Sequence, residues 1–132
     1  MTQTTHRKAF IQSREQAFKD GTLIDVTHAA IQRGYKIPVA VSALLWDKYV
    51  EWTPEDTNKQ VYEDMNERLQ DVLWLPYLII RKHLFIDACC FQLFLVPRDG
   101  KTKEPILTQL KITHRLAGKR QRVLTIMLPH ED

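Results

Sequence analysis

"ILTQLKITHR", Ile106 to Arg115, alternates with a period of two. Ile106, Thr108, Leu110 and Ile112 fall on one side, and Gln109, Lys111 and Thr113 on the other. That is the pattern of a strand with one face against a core. Upstream, "CFQLFLV", Cys90 to Val96, reads as a strand, and "RDGK" after it carries the Asp-Gly signal of a turn. Downstream, "LAGKR" is a loop. "RVLTIML", Arg122 to Leu128, is a third strand with Leu124, Ile126 and Leu128 on one side, and Pro129 ends it. Short connections predict a three-stranded antiparallel β-meander.

Before Cys90 the apolar period is helical. Thr53-Pro54-Glu55-Asp56 marks a helix start: a cap, a proline in the first turn, and two carboxylates at the positive end of the dipole. Val61, Met65 and Leu69 follow at four-residue spacing, with Tyr62, Val72 and Leu73 beside them, an amphipathic stripe. After Asp71 the sequence is apolar on every side, which predicts the buried centre of the fold. Pro76 lacks a backbone donor and is expected to kink this long helix or split it. Arg81, Lys82 and His83 suit its negative end.

Three shorter helices are expected upstream. "SREQAFKDG" opens at Ser13, with Gln16 at capping-box spacing, and ends at Gly21. A second is capped by Asp25 or Thr27 and closed by Gly34. A third, "ALLWDKYVEW", is capped by Ser42. "TLIDV" and the segment from Ile37 to Val41 read as brief extended links. Residues 1–12 read as frayed. The chain is therefore expected to form a single α+β domain over 1–132: N-terminal helices, including one long kinked helix, then the meander.

The run "VTHAAIQRGYKIPVAVSALLW", Val26 to Trp46, has the outline of a helix-turn-helix, with Ala30 and Gly34 four apart. A recognition helix must offer polar side chains to base edges. The second element here, "VAVSALLW", offers Ser42 and little else, and Pro38 breaks the tight turn. Ala30 and Gly34 are better explained as a closely packed helix face and a C-cap.

The 132 residues suffice for a core without metal or disulfide staples. "MTQTTHRKAF" has no apolar core of a signal peptide. The longest apolar run, "VLWLPYLII", is far short of the about 20 residues needed to span a bilayer. Two cysteines without an export signal predict a cytoplasmic protein. No phosphate-cradling glycine loop, nucleophile elbow, zinc-protease or EF-hand pattern is present. No metal or cofactor is predicted.

Charge is unevenly spread. From Arg98 to Arg122 eight basic residues stand against two acidic ones, a net +6; from Thr53 to Asp71 six acidic residues stand against two basic ones, a net −4. Glu55, Asp56, Glu63, Asp64, Glu67 and Asp71 form the candidate acidic partner-binding region. Lys111, Arg115, Lys119, Arg120 and Arg122 form a candidate basic hairpin for phosphates or an acidic protein. No aromatic residue is interleaved there, so base stacking has no support. The plain alternative for both regions is a solvated face. Opposite charges also allow a homodimer in which the two regions meet.

His83, Asp87, Cys89 and Cys90 cluster in sequence, as a nucleophile, base and orienting acid would. They span a helix-to-strand boundary without a supporting motif, and buried cysteine is commonly a small hydrophobe. Adjacent cysteines also make a poor zinc pair. Asp25 and His28 are three apart, but Asp25 is better used as a cap. Trp46, Trp52 and Trp74 are expected mostly in the core. An exposed Trp46 or Trp52 would be an interface candidate.

"SREQAFKDGTLIDVT", "KIPVAVSALLW", "DVLW", "LVPRDG" and "LTIMLPHED" together resemble a family of small uncharacterised proteins encoded on plasmids, integrative elements and phages. The resemblance runs from about Ser13 to the C-terminus; Pro76 and the Cys89–Cys90 pair depart from its pattern. It carries no catalytic residues to transfer. It implies an accessory protein of a mobile element: a non-enzymatic anti-defence inhibitor, of the kind that blocks CRISPR effectors, binding a host defence protein or nucleoprotein. The alternative is a small regulator that binds nucleic acid through the basic hairpin. No membrane partner is expected.

Overall fold

Val39, Ala40 and Val41 carry no polar side chain and are fully or almost fully buried, as are Leu124 and Ile126. Residues of this kind, apolar on both sides of a pleat, belong in the middle of a sheet. The computed structural model describes residues 14–83, 87–117 and 121–131. In chain order it contains α1 (residues 14–20), β1 (Leu23–Asp25), α2 (Thr27–Arg33), β2 (Val39–Ser42) and α3 (Ala43–Leu45). A π-helical turn, Trp46–Val50, follows, then α4 (Pro54–Lys59), α5 (Met65–Lys82), β3 (Ala88–Leu95), β4 (Ile106–Leu116) and β5 (Arg122–Met127).

The class is α+β, but the sheet is larger than the sequence pattern implies. β3, β4 and β5 pair antiparallel in sequence order, as three of five strands. The links read at "TLIDV" and Ile37 to Val41 become β1 and β2. β2 runs parallel to β5, and β1 antiparallel to β2, giving the order β1-β2-β5-β4-β3. A mixed five-stranded sheet replaces the isolated three-stranded meander. These two strands leave little periodic signal, because each is only three or four residues long. Their pairing is set by the distant β5, not by local pattern. β2 also ends the helix-turn-helix question, since the second element is a buried central strand.

One face of the sheet carries Val39, Val41, Leu124, Ile126, Ile112, Leu110 and Phe91 into the core, where Leu45, Val50, Leu69, Val72 and Leu73 meet them. The period-two reading of β4 holds for Thr108, Leu110 and Ile112. Ile106 is 48% exposed and Thr113 is buried on the opposite face. There Arg14 of α1 donates to the Thr125 hydroxyl at 2.6 Å and to the Leu124 carbonyl at 3.2 Å. Gly21 ends α1 with φ +79°, as expected. The expected Ser13 cap and the fraying of residues 1–12 lie outside the described residues.

The long kinked helix is corrected in a different way. The break falls at 60–64, and α5 continues through Pro76, which is fully buried. Gln60 leaves the helical region at φ −121°, ψ −89°. Its buried amide donates to the carbonyls of Pro97 and Thr102 and accepts from the Gly100 N–H. Asp64 then caps α5 by accepting from the Glu67 N–H at 3.0 Å. Thr53 and Asp56 form the capping box of α4. Val61 and Met65 therefore miss the core stripe, while Leu69, Val72, Leu73 and Pro76 form it. Nor is α5 buried on every side: Trp74 is 46% exposed. Among the described residues no helix is long and apolar enough to cross a membrane.

"RDGK" is not a two-residue hairpin; ten residues separate β3 from β4. Asp99 organises that loop. Its carboxylate accepts from the Thr102 hydroxyl and from the N–H groups of Thr102 and Lys101, which pulls it down to about 2. Asp56 is pushed up by burial, but Thr53 and the Arg98 guanidinium at 2.8 Å more than offset this and hold it below its usual value. Between about pH 4 and pH 2 the native state thus binds fewer protons than the unfolded chain. Stability is present above that window and falls as the pH drops through it. Urea midpoints across this range are expected to fall more steeply for the wild type than for Asp99→Asn. Parallel profiles would show that the loop does not hold the charge.

Candidate functional site

The outer surface of α2 and α5 carries the most distinctive exposed chemistry. Ala30, fully buried, lets α2 lie close on α5, and Gly34 ends α2 with φ +121°. Arg33, in the last turn, reaches across to α5. Its Nε donates to the Gln70 side-chain amide oxygen, Oε1, at 2.8 Å, and its guanidinium carbon sits 4.8 Å from the Trp74 ring centre. Trp74 stacks on Tyr77 at 6.2 Å, and Arg81 lies 5.5 Å over the Tyr77 ring. Tyr77 also packs on Tyr35, whose hydroxyl donates to the Leu73 carbonyl. Burial raises the Tyr35 hydroxyl pKa, keeping it protonated as a donor.

Beside this stacked aromatic pair with an arginine at each end lies an open cleft of about 410 Å³, lined by Arg33, Asn66, Glu67, Gln70 and Asp71. Glu67 and Asp71 are one helical turn apart on the exposed side of α5. Neither has an ion pair among the described residues. Partial desolvation pushes the Asp71 carboxyl up, against the pull of Arg68 and Arg33. A cationic group entering the cleft would relieve that cost.

Only these two of the six acidic candidates stand together and face outward. Asp56 is committed to the capping box and to Arg98. Glu55 pairs with Lys59 at 3.1 Å, Asp64 caps α5, and Glu63 leans on Arg68 at 3.5 Å. The acidic region is thus two helices and a connector, with no common face.

The basic hairpin is likewise divided. Lys111 donates its ammonium to the Glu131 carbonyl. Arg115 donates to the Asp87 carbonyl at 2.6 Å. Arg122 is exposed, and by strand alternation it points to the opposite face from Arg115. Lys119 and Arg120 lie outside the described residues. Cys89 and Cys90, adjacent on β3, also point to opposite faces, so they do not converge with His83 and Asp87 on one reacting centre. Among the described residues no group of three acidic, histidine or cysteine side chains could hold a metal.

No family model, curated protein or solved structure matches the chain. Tryptophan, tyrosine and arginine are the residue types that dominate binding energy at protein interfaces, and all four side chains of this row, Arg33, Trp74, Tyr77 and Arg81, are of those types, with a cleft bearing two carboxylates alongside. Trp52 is buried, with its indole N–H on the Thr57 hydroxyl, and Trp46 is half-buried on Glu51. The exposed tryptophan is Trp74, the one inside the apolar run. Its signal was its spacing: Glu67, Asp71 and Trp74 fall at i, i+4 and i+7, on the side opposite Leu69, Val72, Leu73 and Pro76.

Proposed function

We propose that this is a non-enzymatic binding protein that grips a protein partner through Trp74, Arg33, Glu67 and Asp71. The observation that carries this reading is Trp74, 46% exposed yet held between Arg33 and Tyr77, next to the Glu67 and Asp71 carboxylates, which form no ion pair among the described residues. A side chain already fixed in place loses little freedom on binding. The matching partner surface presents an apolar pocket for the indole and a basic side chain for the cleft. The resemblance to mobile-element accessory proteins supports a host defence protein or nucleoprotein as that partner, with inhibition by occlusion as the outcome. The reading needs no cofactor. A nucleic-acid-binding regulator is the alternative, and it has less support, because Lys111 and Arg115 are engaged within the fold and Arg122 faces away from them.

The test is a pull-down of the tagged protein from host lysate, with and without nuclease, comparing the wild type with Trp74→Ala and with the pair Glu67→Lys and Asp71→Lys. A protein retained after nuclease treatment is expected from the wild type. Trp74→Ala should weaken its binding by about 2 kcal/mol, roughly thirtyfold. The charge reversal should remove most of the salt dependence. Nucleic acid alone, lost with nuclease and insensitive to Trp74, would transfer the function to the basic hairpin.

A further inference from the structure

β3 is an edge strand with one neighbour, β4, among the described residues. The direction of its backbone groups follows from one bond. The His114 N–H donates to the Asp87 carbonyl, so Asp87 and His114 form a hydrogen-bonded pair. Bonded and non-bonded pairs alternate along an antiparallel ladder. Cys89, Phe91, Leu93 and Leu95 therefore turn their N–H and C=O groups toward β4. Ala88, Cys90, Gln92 and Phe94 turn theirs outward. β4 agrees: the Ala117 N–H donates to the Gln121 carbonyl, which assigns the odd residues Lys111, Thr113 and Arg115 to β5. Of the outward groups, only the Cys90 carbonyl has a contact within the described residues, a thiol from its own neighbour Cys89.

Such an edge usually carries a lysine, a proline or a bulge that prevents pairing. Ala88–Leu95 has no charge and no proline, and its register with β4 is unbroken over all eight residues. The side chains of the outward-bonding residues are exposed, and Phe94 is 68% exposed beside Leu107 at 52%. The edge is also self-complementary. When two β3 strands run antiparallel about a twofold axis at Phe91, Ala88 of one copy faces Phe94 of the other, and Cys90 faces Gln92. Every outward N–H and C=O of the four residues then finds a partner. The large ring of Phe94 falls on the smallest side chain of the row, and no like charges meet.

We infer that β3 pairs with β3 of a second copy of this chain, joining the two sheets into one ten-stranded sheet. Eight residues of strand span about 27 Å. One strip of that length and a single sheet in thickness covers less than the about 800 Å² per partner of a standard interface. The dimer is therefore transient and concentration-dependent, not obligate. It is a separate surface from the α2–α5 face and does not depend on the function proposed for that face.

The experiment is sedimentation equilibrium over a wide concentration range, with residue-resolved amide exchange at both ends of it. Dimerisation is expected in the wild type. Protection should rise with concentration at Cys90, Gln92 and Phe94 and not at Phe91 or Leu93, which β4 already protects. Gln92→Pro removes an outward donor without touching the β4 ladder and should raise the dissociation constant roughly tenfold or more. Phe94→Lys, at an exposed side chain, should do the same if the proline variant folds poorly. In the Cys89→Ser background Cys90 is the sole thiol. Two copies then place Cys90 diagonally across the axis, about 7–8 Å apart, and a short bismaleimide should link them. A monomer at every concentration would overturn the inference, including one whose β3 amides are protected by an unrelated strand. A dimer indifferent to both variants and lacking the alternating protection would overturn it equally.

Discussion

Glu63→Gln is expected to lower folding stability by about 3 kcal/mol, while Arg68→Met should cost nothing or add stability. Arg68 is 1% exposed. Its guanidinium carbon lies 4.3 Å from the Trp52 ring centre, and Nη1 is 3.5 Å from the Glu63 carboxylate. None of its three nitrogens has a hydrogen-bond partner among the described residues. A buried charge in this condition has lost its water and regained only Coulomb attraction and the face of one ring. Burial accordingly pushes the Arg68 pKa down, and Glu63, Asp56 and Asp71 hold it up. Neutralising Glu63 removes the nearest of those three carboxylates and leaves the cation behind. Methionine at this position removes the cation itself while keeping an unbranched side chain against Trp52. Urea unfolding followed by tryptophan fluorescence will separate the two effects. If Arg68→Met were as damaging as Glu63→Gln, the guanidinium must be better solvated than its geometry allows.

The same residue shows what sequence can and cannot reveal here. Arg68 sits at a position that charge counting assigns to a solvated acidic helix, yet it lies inside, because Gln60 and Asp64 restart the helix and rotate its faces. The restart had a local trace: Asp64 followed three residues later by Glu67 is a capping spacing. The reason for it was not local, since Gln60 bonds to a loop about forty residues away. Features fixed by near neighbours were legible. Ser42 caps α3, Thr53 to Asp56 open α4, Gly34 closes α2, and Thr108, Leu110 and Ile112 face the core. Features fixed by distant partners were not: β1 and β2 exist because β5 lies beside β2. Pro76 did not end its helix, because burial against the core outweighs the loss of one backbone bond. The acidic candidates were half legible. Their charge was visible, but only the folded chain commits Asp56, Glu63 and Asp64 to contacts within the fold and leaves Glu67 and Asp71 beside Trp74.

Gly34→Ala is expected to cost about 3 kcal/mol and to lower the melting temperature by roughly 10 °C. Two separate terms add. Gly34 has φ +121° and ψ 0°, a conformation a side chain strongly disfavours. A Cβ there would also stand 2.7 Å from the Tyr77 hydroxyl oxygen and 2.8 Å from the ring carbon that bears it. Gly21 separates the terms, because its φ is +79° with nothing within 4 Å of an added Cβ. Gly21→Ala should therefore cost only about 1 kcal/mol. The clash at Gly34 should also show as coupling: in a Tyr77→Ala background, Gly34→Ala should cost about 1 kcal/mol less than it does alone. Strict additivity would mean that Tyr77 moves aside freely. The substitution reaches the proposed binding surface as well. Displacing Tyr77 disturbs the ring against which Trp74 stacks, so Gly34→Ala should weaken partner binding at temperatures where the protein is still folded, whereas Gly21→Ala should leave binding unchanged. Equal binding by the two variants would disconnect the Tyr77 support from the Trp74 contact.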